Sequence, residues 1–334
     1  MPVIRTIQTA WPETRITWVI GETEFGLMNG MDGVDFIIFD KRRSIQSLRE
    51  IKAGMRDKKF PLLLHMHASM RANFVSRTIP ADIRIGFDKQ RARDYQWMFT
   101  NQRIPWRPEQ HVMDGLFGFA EYLGLTEPVL RWDIPIPDAD RQFASDAVGK
   151  AKSILAISPC TSQRFRNYRN WSAENFAAVA QYAHQTYGAE IVLTGAATRI
   201  EQEYGAAITA EAGVPVNNLI GKTNLKQLLA ILDRADLLIC PDSGPAHMAT
   251  TVRTPVIGLF ATSNTGRTGP YNSQDLVVDR YPEAVNREFG KPVSSLRWGQ
   301  RVRDPDAMDL IRIQDVTAKI DMVLRSDSLS GNSD

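Results

Sequence analysis

The architecture of this chain is clearest in the segment Asp236-Leu-Leu-Ile-Cys-Pro-Asp-Ser-Gly-Pro-Ala-His-Met-Ala-Thr-Thr251. Its apolar residues Leu237–Ile239 predict a buried strand that stops at Pro241, and a turn of small residues then leads into a helix. Pro245 suits the first helical position, because its fixed φ is already helical and its missing N–H is not needed there. Such a strand, turn and helix indicate one repeat of an α/β domain.

The turn after this strand has the chemistry of an anion-binding site. The free backbone N–H groups of Ser243 and Gly244, together with the helix dipole, would receive an anion such as a diphosphate, and Gly244 has no Cβ to keep the ligand away. Asp242 would repel a phosphate, so we interpret it as an acceptor for a neighbouring hydroxyl, for instance on a sugar. An ordinary strand-to-helix loop is the alternative.

Length and composition restrict the class of protein. The 334 residues, 43% hydrophobic and 23% charged, are typical of a globular chain and favour two α/β domains. The net charge of +2 gives no global field of the kind that marks nucleic-acid binding. No apolar run approaches the roughly 18 residues of a membrane span, and the N-terminal residues lack a signal-peptide core. Cys160 and Cys240 do not make a disulfide framework, so we expect a cytoplasmic protein.

Predicted strands and helices alternate along the chain, which indicates mostly parallel sheets covered on both faces. The first series has strands at 15–20, 35–39, 61–65 and 83–87, with helices at 44–56, 68–77 and 113–123. The second has strands at 154–158, 190–194, 216–219, 237–240 and 255–260, with helices at 173–187, 199–212, 225–234, 246–251 and 311–324. Pro128–Asp140 holds three prolines and is the predicted linker. We therefore predict two doubly wound domains, over 1–140 and 151–325, and a disordered polar tail at 326–334.

Ligands of doubly wound sheets bind outside the carboxyl ends of the strands, which in a two-domain protein predicts a site in the cleft. Four small, hydroxyl- or glycine-rich loops follow strands of the second series, at Ser158–Ser162, Thr194–Thr198, Asp242–His247 and Ala261–Pro270. Four such loops on one edge favour a phosphorylated ligand. The basic run Arg164–Trp171 could neutralise a departing diphosphate, or it could be a solvated loop in which Trp171 anchors the next helix.

The first half is rich in basic residues interleaved with aromatic ones. Such a surface could bind an anionic glycolipid, a membrane surface or RNA, or it could be an ordinary solvated face. The residues are Arg77, Arg84, Lys89, Arg91, Arg93, Arg103 and Arg107, with Tyr95, Trp97 and Trp106. His65-Met-His67 lacks a third ligand nearby, and the Asp-x-Asp patterns at 138–140 and 304–306 fit helix caps or turns, so we predict no metal site.

Several further motifs, together with the first segment, carry a resemblance that covers nearly the whole chain. They are Pro2-Val-Ile-Arg, Trp11-Pro-Glu and Ile16-Thr-Trp-Val near the start, then Arg84-Ile-Gly-Phe-Asp88, Trp171, Leu193-Thr-Gly195, Gly258-Leu-Phe and Gly269-Pro-Tyr271. In this set, Asp242-Ser-Gly-Pro-Ala-His247 is the most specific. The chain resembles glycosyltransferase family 9, the bacterial heptosyltransferases that build the lipopolysaccharide inner core.

The resemblance implies a GT-B fold and an inverting, metal-independent transfer that needs no cofactor. An ADP-heptose donor would bind the C-terminal domain, and a Kdo-lipid A or heptosylated core acceptor would bind the N-terminal one. The implied catalytic residues are Arg169, where the family usually has Lys, and Asp242. The implied donor-binding residues are Thr161, Ser162, Glu201, Ser243, Gly244, Pro245 and His247. The implied acceptor-binding residues are Arg84, Arg91 and Arg93.

One departure from the family pattern bears on activity. The family opens with a strand and a Gly-Asp loop ahead of its first helix, and that Asp is its proposed general base, whereas this sequence begins inside the first helix at Met1-Pro2. We expect the true start to lie upstream. The alternatives are an inactive member that binds a nucleotide sugar or glycolipid, or a transferase of the same fold with another nucleotide sugar. His65 or His67 could in principle replace the base.

The expected setting follows from the same resemblance. We expect a monomer that acts in the cytoplasm, peripheral to the inner face of the inner membrane, and that does not bind nucleic acid.

Overall fold

Two α/β units make up this protein, and their strands are formed by apolar runs bounded by turn residues. The computed structural model describes residues 1–149, 151, 153–162 and 168–330, and for the last five of these only the backbone. The first unit is Met1–Pro135 and the second is Ile136–Asp334.

The first unit contains two parallel sheets. Its helices are α1 (Pro2–Ala10), α2 (Glu22–Met28), α3 (Ser44–Gly54), α4 (Met70–Arg77) and α5 (Val112–Tyr122). Its strands are β1 (Ile16–Gly21), β2 (Val34–Phe39), β3 (Phe60–Leu64), β4 (Ala81–Gly86) and β5 (Gln102–Arg103). β1 pairs with β2, and β3, β4 and β5 form the other sheet in that order. The single sheet expected for this half is thus divided, because β1 and β3 do not pair with each other within the described residues.

Two apolar clusters join these sheets. One contains Phe117 of α5 with Ile16 of β1 and Leu64 of β3. The other contains Ile51 of α3 with Val19 of β1 and Leu63 of β3. Each cluster therefore draws on both sheets, and burial of this apolar surface holds the unit together.

The second unit is a doubly wound domain. Its helices are α6 (Asp138–Ala147), α7 (Ala173–Tyr187), α8 (Arg199–Glu211), α9 (Leu225–Arg234), α10 (Gly244–Thr251), α11 (Thr265–Thr268), α12 (Tyr281–Phe289) and α13 (Ile313–Ser330). Its strands are β6 (Ile154–Ile157), β7 (Glu190–Leu193), β8 (Val216–Asn218), β9 (Leu237–Pro241), β10 (Val256–Phe260) and β11 (Val278–Asp279). They form one parallel sheet in the order β11-β10-β9-β6-β7-β8, and its central strands are buried along their whole length, as expected of a sheet with helices on both faces.

Trp171 ties the entry of α7 to the C-terminal part of the chain. Its indole is fully buried, stacks edge-on against Phe176 at 5.3 Å, and donates from Nε1 to the Ile311 carbonyl oxygen at 3.1 Å. Ser172 caps the helix, since its hydroxyl accepts the Asn175 N–H at 3.2 Å. This is the anchoring given for Trp171 in the alternative interpretation of the basic run.

The unit boundary and the C-terminus differ from the predicted limits. The division falls after Pro135 rather than at 140, because the second half of the predicted linker starts α6, whose acidic first turn suits a helix N-terminus. The backbone of α13 continues to Ser330, into the segment predicted as a disordered tail. Residues 331–334 of that predicted tail lie outside the described residues.

Candidate functional site

The strand order of the second unit brings two loops of the predicted site together. β6 pairs with β7 on one side and with β9 on the other, so the order of the sheet reverses at β6. The loops after β6 and β9 therefore leave the sheet side by side at its carboxyl edge, where doubly wound sheets bind ligands. The first loop carries Thr161 and Arg169, and the second carries Asp242 and the start of α10.

Asp242 is the centre of a buried polar cluster. Its Oδ2 accepts hydrogen bonds from Arg169 Nη1 at 3.2 Å, Ser263 Oγ at 2.7 Å and Arg301 Nη1 at 2.9 Å. Arg169 Nη1 also donates to the Asp242 carbonyl oxygen at 2.7 Å. Because Asp242 is only 6% exposed, these donors replace much of the water that would otherwise stabilise its charge.

The cluster keeps Asp242 ionised. Burial alone would raise the pKa of this carboxyl group, but the positive charge of Arg301, the hydrogen bond from Ser263 and the positive charge of Arg169 outweigh it and hold the pKa below its ordinary value. Asp242 is therefore a permanent anion at neutral pH that neutralises one of the two guanidinium groups beside it.

Thr161 and Ser162 lie on the loop that also carries Arg169. The buried Thr161 donates from its backbone N–H and from Oγ1 to Asn170 Oδ1, at 2.9 and 3.2 Å, which fixes the loop next to Arg169. Ser162 is exposed. Arg164 and Arg166, which belong to the basic run predicted to border the site, lie outside the described residues.

The N-terminus of α10 has the open approach that an anion needs. Ser243 is its N-cap, and no side chain caps the helix. A Cβ added to Gly244 would meet nothing within 4 Å, so neither packing nor a positive φ requires glycine there, and open space lies over the first turn. The first N–H groups of a helix have no partner within it. Pro245 stands in the first turn, and the side chain of His247 is exposed one turn from the cap.

Glu201 lies in the first turn of α8, whose N-cap is Thr198. Its Oε1 accepts the Ala196 N–H at 3.0 Å, and its Oε2 accepts the Thr198 hydroxyl, whose oxygen in turn accepts the Glu201 N–H at 3.4 Å. Glu201 thus binds both the capping residue of α8 and the loop that leads into it. Its nucleotide-binding role stays a prediction, and the carboxylate would have to serve both functions.

In the first unit, two of the three predicted acceptor residues are bound to the protein itself. Arg84 donates to the carbonyl oxygens of Ser76, at 2.7 Å, and Ile79 at the end of α4. Burial lowers the pKa of the Arg84 guanidinium, and the nearby charge of Arg77 lowers it further.

Arg91 holds the loop around it by an ion pair with Asp88 and by hydrogen bonds to Gln110 Oε1 at 3.0 Å and to the Pro105 carbonyl oxygen at 2.9 Å. Arg93 is exposed. The acceptor role of all three arginines stays a prediction, and Arg93 has the side chain best placed for it.

The two histidines considered as substitute bases differ in environment. His65 is buried, and its Nε2 lies 2.8 Å from the Oδ1 of the fully buried Asn73. Burial lowers the pKa of His65. His65 thus belongs to the polar core of the first unit, whereas His67 is exposed. The described residues contain no group of three acidic, histidine or cysteine side chains that could hold a metal ion.

Sequence reasoning missed Arg301 and did not single out Ser263. Arg301 follows Trp298-Gly-Gln300, a segment with no helical or strand periodicity. Its backbone forms an isolated antiparallel bridge with Ser263, and only this return of the chain brings it to Asp242. Ser263 lies in a loop that was predicted to border the site, and its hydroxyl group is the one feature of the sequence that could have marked it as a hydrogen-bond donor there.

Comparison with known proteins supports this assignment of the fold. Residues 48–297 match the model of glycosyltransferase family 9 (heptosyltransferase). The lipopolysaccharide core heptosyltransferase OpsX of Haemophilus influenzae is 38% identical over 96% of this chain and 91% of its own.

Solved structures share the fold at low sequence identity. A family 9 glycosyltransferase from Veillonella parvula has a TM-score of 0.78 at 22% identity, over 97% of this chain and 92% of its own. The Escherichia coli heptosyltransferase WaaC with ADP has a TM-score of 0.71 at 16% identity, over 96% and 94%. The expected GT-B fold class is confirmed, although the sheet of the first unit is divided. The chain belongs to glycosyltransferase family 9.

Proposed function

We propose that the protein transfers a heptose from ADP-heptose to the inner core of lipopolysaccharide. Support comes from the family and from the names of its relatives, which describe lipopolysaccharide heptosyltransferases. The observation that carries the proposal is the site at the carboxyl edge of the second sheet, where the open N-terminus of α10 lies next to a cluster of two arginines and one aspartate. Such a site suits a sugar diphosphate.

Each group in this site has a proposed task. Arg169 and the backbone N–H groups of Ser243 and Gly244 receive the diphosphate and stabilise the charge that develops as ADP leaves. Asp242 accepts a hydroxyl of the donor sugar. The acceptor hydroxyl attacks the anomeric carbon and loses its proton to water, the bond from that carbon to the phosphate oxygen breaks, and ADP departs with the electron pair. We propose that this transfer inverts the anomeric carbon and uses neither a metal ion nor a cofactor.

The direct test is transfer to a defined acceptor. Purified protein is incubated with ADP-heptose and Kdo-lipid A, and the products are followed by ADP release and by the mass of the glycolipid. We expect a gain of one heptose, no transfer from UDP- or GDP-linked sugars, and an unchanged rate with EDTA. Binding of ADP-heptose without product, on this acceptor and on a heptosylated core, would contradict the proposal and favour an inactive binding protein.

We further propose that the protein works in the cytoplasm as a monomer, peripheral to the inner face of the inner membrane. No helix among the described residues has the length and apolarity to cross a bilayer. The segment 94–99 packs against α4, since Asp94 Oδ2 accepts the Met70 N–H at 2.9 Å and the rings of Phe74 and Phe99 lie 5.9 Å apart.

This surface combines apolar and basic side chains. Tyr95, Trp97 and Met98 are each more than half exposed. Arg93 is exposed close to them in the sequence, and Arg71 is exposed next to Met70 on α4. Aromatic and basic side chains together favour an anionic bilayer surface. In flotation assays we expect binding to anionic but not zwitterionic vesicles, and loss of binding in the double variant Trp97→Ser, Met98→Ser. Equal binding of the variant and the unaltered protein would contradict a role for this surface.

A further inference from the structure

The two oxygens of the Asp242 carboxylate have different environments. All three side-chain hydrogen bonds to this group, from Arg169, Ser263 and Arg301, end on Oδ2. No hydrogen bond from the described residues ends on Oδ1. Within the same residues Ser243 Oγ is the only fully buried side-chain polar atom without a partner, so Oδ1 keeps contact with solvent. Oδ2 of Asp242 is thus bound to the protein, and Oδ1 is left to accept a hydrogen bond from a ligand.

Arg301 is fixed by a segment separate from the loop that carries Asp242. Val302, 2% exposed, donates from its backbone N–H to the Thr262 carbonyl oxygen at 3.1 Å. The Tyr281 hydroxyl donates to the Gln300 carbonyl oxygen at 2.9 Å. The backbone on both sides of Arg301 is therefore held beside the loop after β10, and its guanidinium reaches Asp242 from there.

A carboxylate held in this way cannot turn freely. Rotation about its Cβ–Cγ bond would take Oδ2 away from two guanidinium groups and one hydroxyl, and charge-assisted hydrogen bonds are about twice as strong as neutral ones. Asp242 carries one negative charge and the two arginines carry two positive charges, so the cluster has a net charge of +1. Arg301 thus sets the direction of Oδ1 and supplies the positive charge that Asp242 does not cancel.

We infer that Arg301 is a positioning residue for the donor sugar: together with Ser263 it holds Asp242 by Oδ2, so that Oδ1 accepts a sugar hydroxyl. This inference rests on the proposed function, because it takes the ligand to be a nucleoside diphosphate sugar. Arg301 should therefore strengthen the binding of ADP-heptose more than that of ADP, because ADP has the diphosphate but lacks the sugar.

The test is a double-mutant cycle on binding, which does not depend on turnover. Dissociation constants for ADP and ADP-heptose are measured by calorimetry for the unaltered protein, Arg301→Gln, Asp242→Asn and the double variant. A hydrogen bond to a charged group contributes about 1.5–3 kcal/mol, roughly 10- to 100-fold in affinity. We expect Arg301→Gln to lose at least about tenfold more affinity for ADP-heptose than for ADP, and Arg301→Lys to retain part of this preference. In the double variant, the loss should be no greater than in Asp242→Asn alone.

Arg297→Gln is the matched control. It removes the same charge from an exposed side chain of the same segment and should leave both dissociation constants unchanged. An equal loss of ADP and ADP-heptose affinity in Arg301→Gln, or additive losses in the double variant, would overturn the positioning role. If the unaltered protein binds ADP but has no greater affinity for ADP-heptose, the contact at Oδ1 is refuted. If it binds neither, the proposed function itself fails.

Discussion

Replacing Trp171 by phenylalanine should destabilise the second unit far more than the same change at an exposed tryptophan. Trp171 is fully buried, and its Nε1 donates to the Ile311 carbonyl oxygen at 3.1 Å. Phenylalanine keeps the contact with Phe176 but cannot donate, and Ile311 is 1% exposed, so water has little access to its carbonyl oxygen. A buried acceptor left without a partner costs about 1–3 kcal/mol.

The smaller ring adds a second cost. Phenylalanine has three fewer side-chain heavy atoms than tryptophan, and at about 0.8 kcal/mol for each buried carbon their loss costs roughly 2 kcal/mol. The two contributions give a total of about 3–5 kcal/mol. For a unit of this size, 1 kcal/mol lowers Tm by about 2–4 °C, so we expect a fall of roughly 6–20 °C. Far-UV circular dichroism during heating measures this without relying on tryptophan fluorescence.

Trp97→Phe is the matched control. Trp97 is 52% exposed, and substitutions at such surface positions change stability by about 0.5 kcal/mol or less. The reasoning would be refuted if Trp171→Phe and Trp97→Phe lowered Tm by the same amount, because the burial and the hydrogen bond of Trp171 would then contribute nothing measurable.

Three further predictions concern single side chains. Asp242→Ala should weaken use of the donor sugar more than ADP binding, as measured by KM for ADP-heptose and Kd for ADP; equal losses would contradict its assigned role. Because the pKa of Asp242 is lowered in the folded protein, its charge stabilises the fold above the ordinary pKa, and this stabilisation is lost as the pH falls through the folded pKa. The free energy of unfolding, measured with urea, should therefore fall more steeply below about pH 4 in the unaltered protein than in Asp242→Asn. The same pH dependence in both proteins would contradict this prediction. Arg93→Ala should raise KM for the acceptor several-fold with little change in Tm. Arg84→Ala should instead lower Tm, because two carbonyl oxygens at the end of α4 lose their donor. A fall in Tm for Arg93→Ala and a raised KM alone for Arg84→Ala would contradict this assignment.

The fold of the second unit could be predicted because its strands are short apolar runs ended by turn residues. Each predicted strand there lies within one residue of the observed one at either end. The start of α10 was less accurate: the helix begins at Gly244, directly after its N-cap Ser243, whereas the prediction placed the first helical residue at Pro245 or Ala246. α2, α6 and α12 were not predicted: α6 begins inside the proline-containing segment taken as the linker, and α2 and α12 are short helices of 7 and 9 residues.

The candidate site could be predicted only where local chemistry marks it. A helix N-terminus after a strand has a recognisable sequence, so Asp242, Ser243 and Gly244 could be named in advance. Arg301 could not, because its position depends on how the chain returns past Ser263. Glu201 and Arg84 were assigned to ligands by resemblance alone, and the contacts that each makes at the end of a helix were not predicted.

The wide spacing of the Asp242 cluster along the chain affects the order of folding during synthesis. Arg169 lies 73 positions before Asp242, and Arg301 lies 59 positions after it. Contacts this far apart form late, because long loops must close first. Before Arg301 has emerged from the ribosome, the nascent second unit can already contain its central strands. At that stage Asp242 has only Arg169, one of the two arginines that stabilise it. The donor site is thus among the last features of this unit to form, and a chain truncated before Arg301 would fold around a carboxylate held by one guanidinium group instead of two.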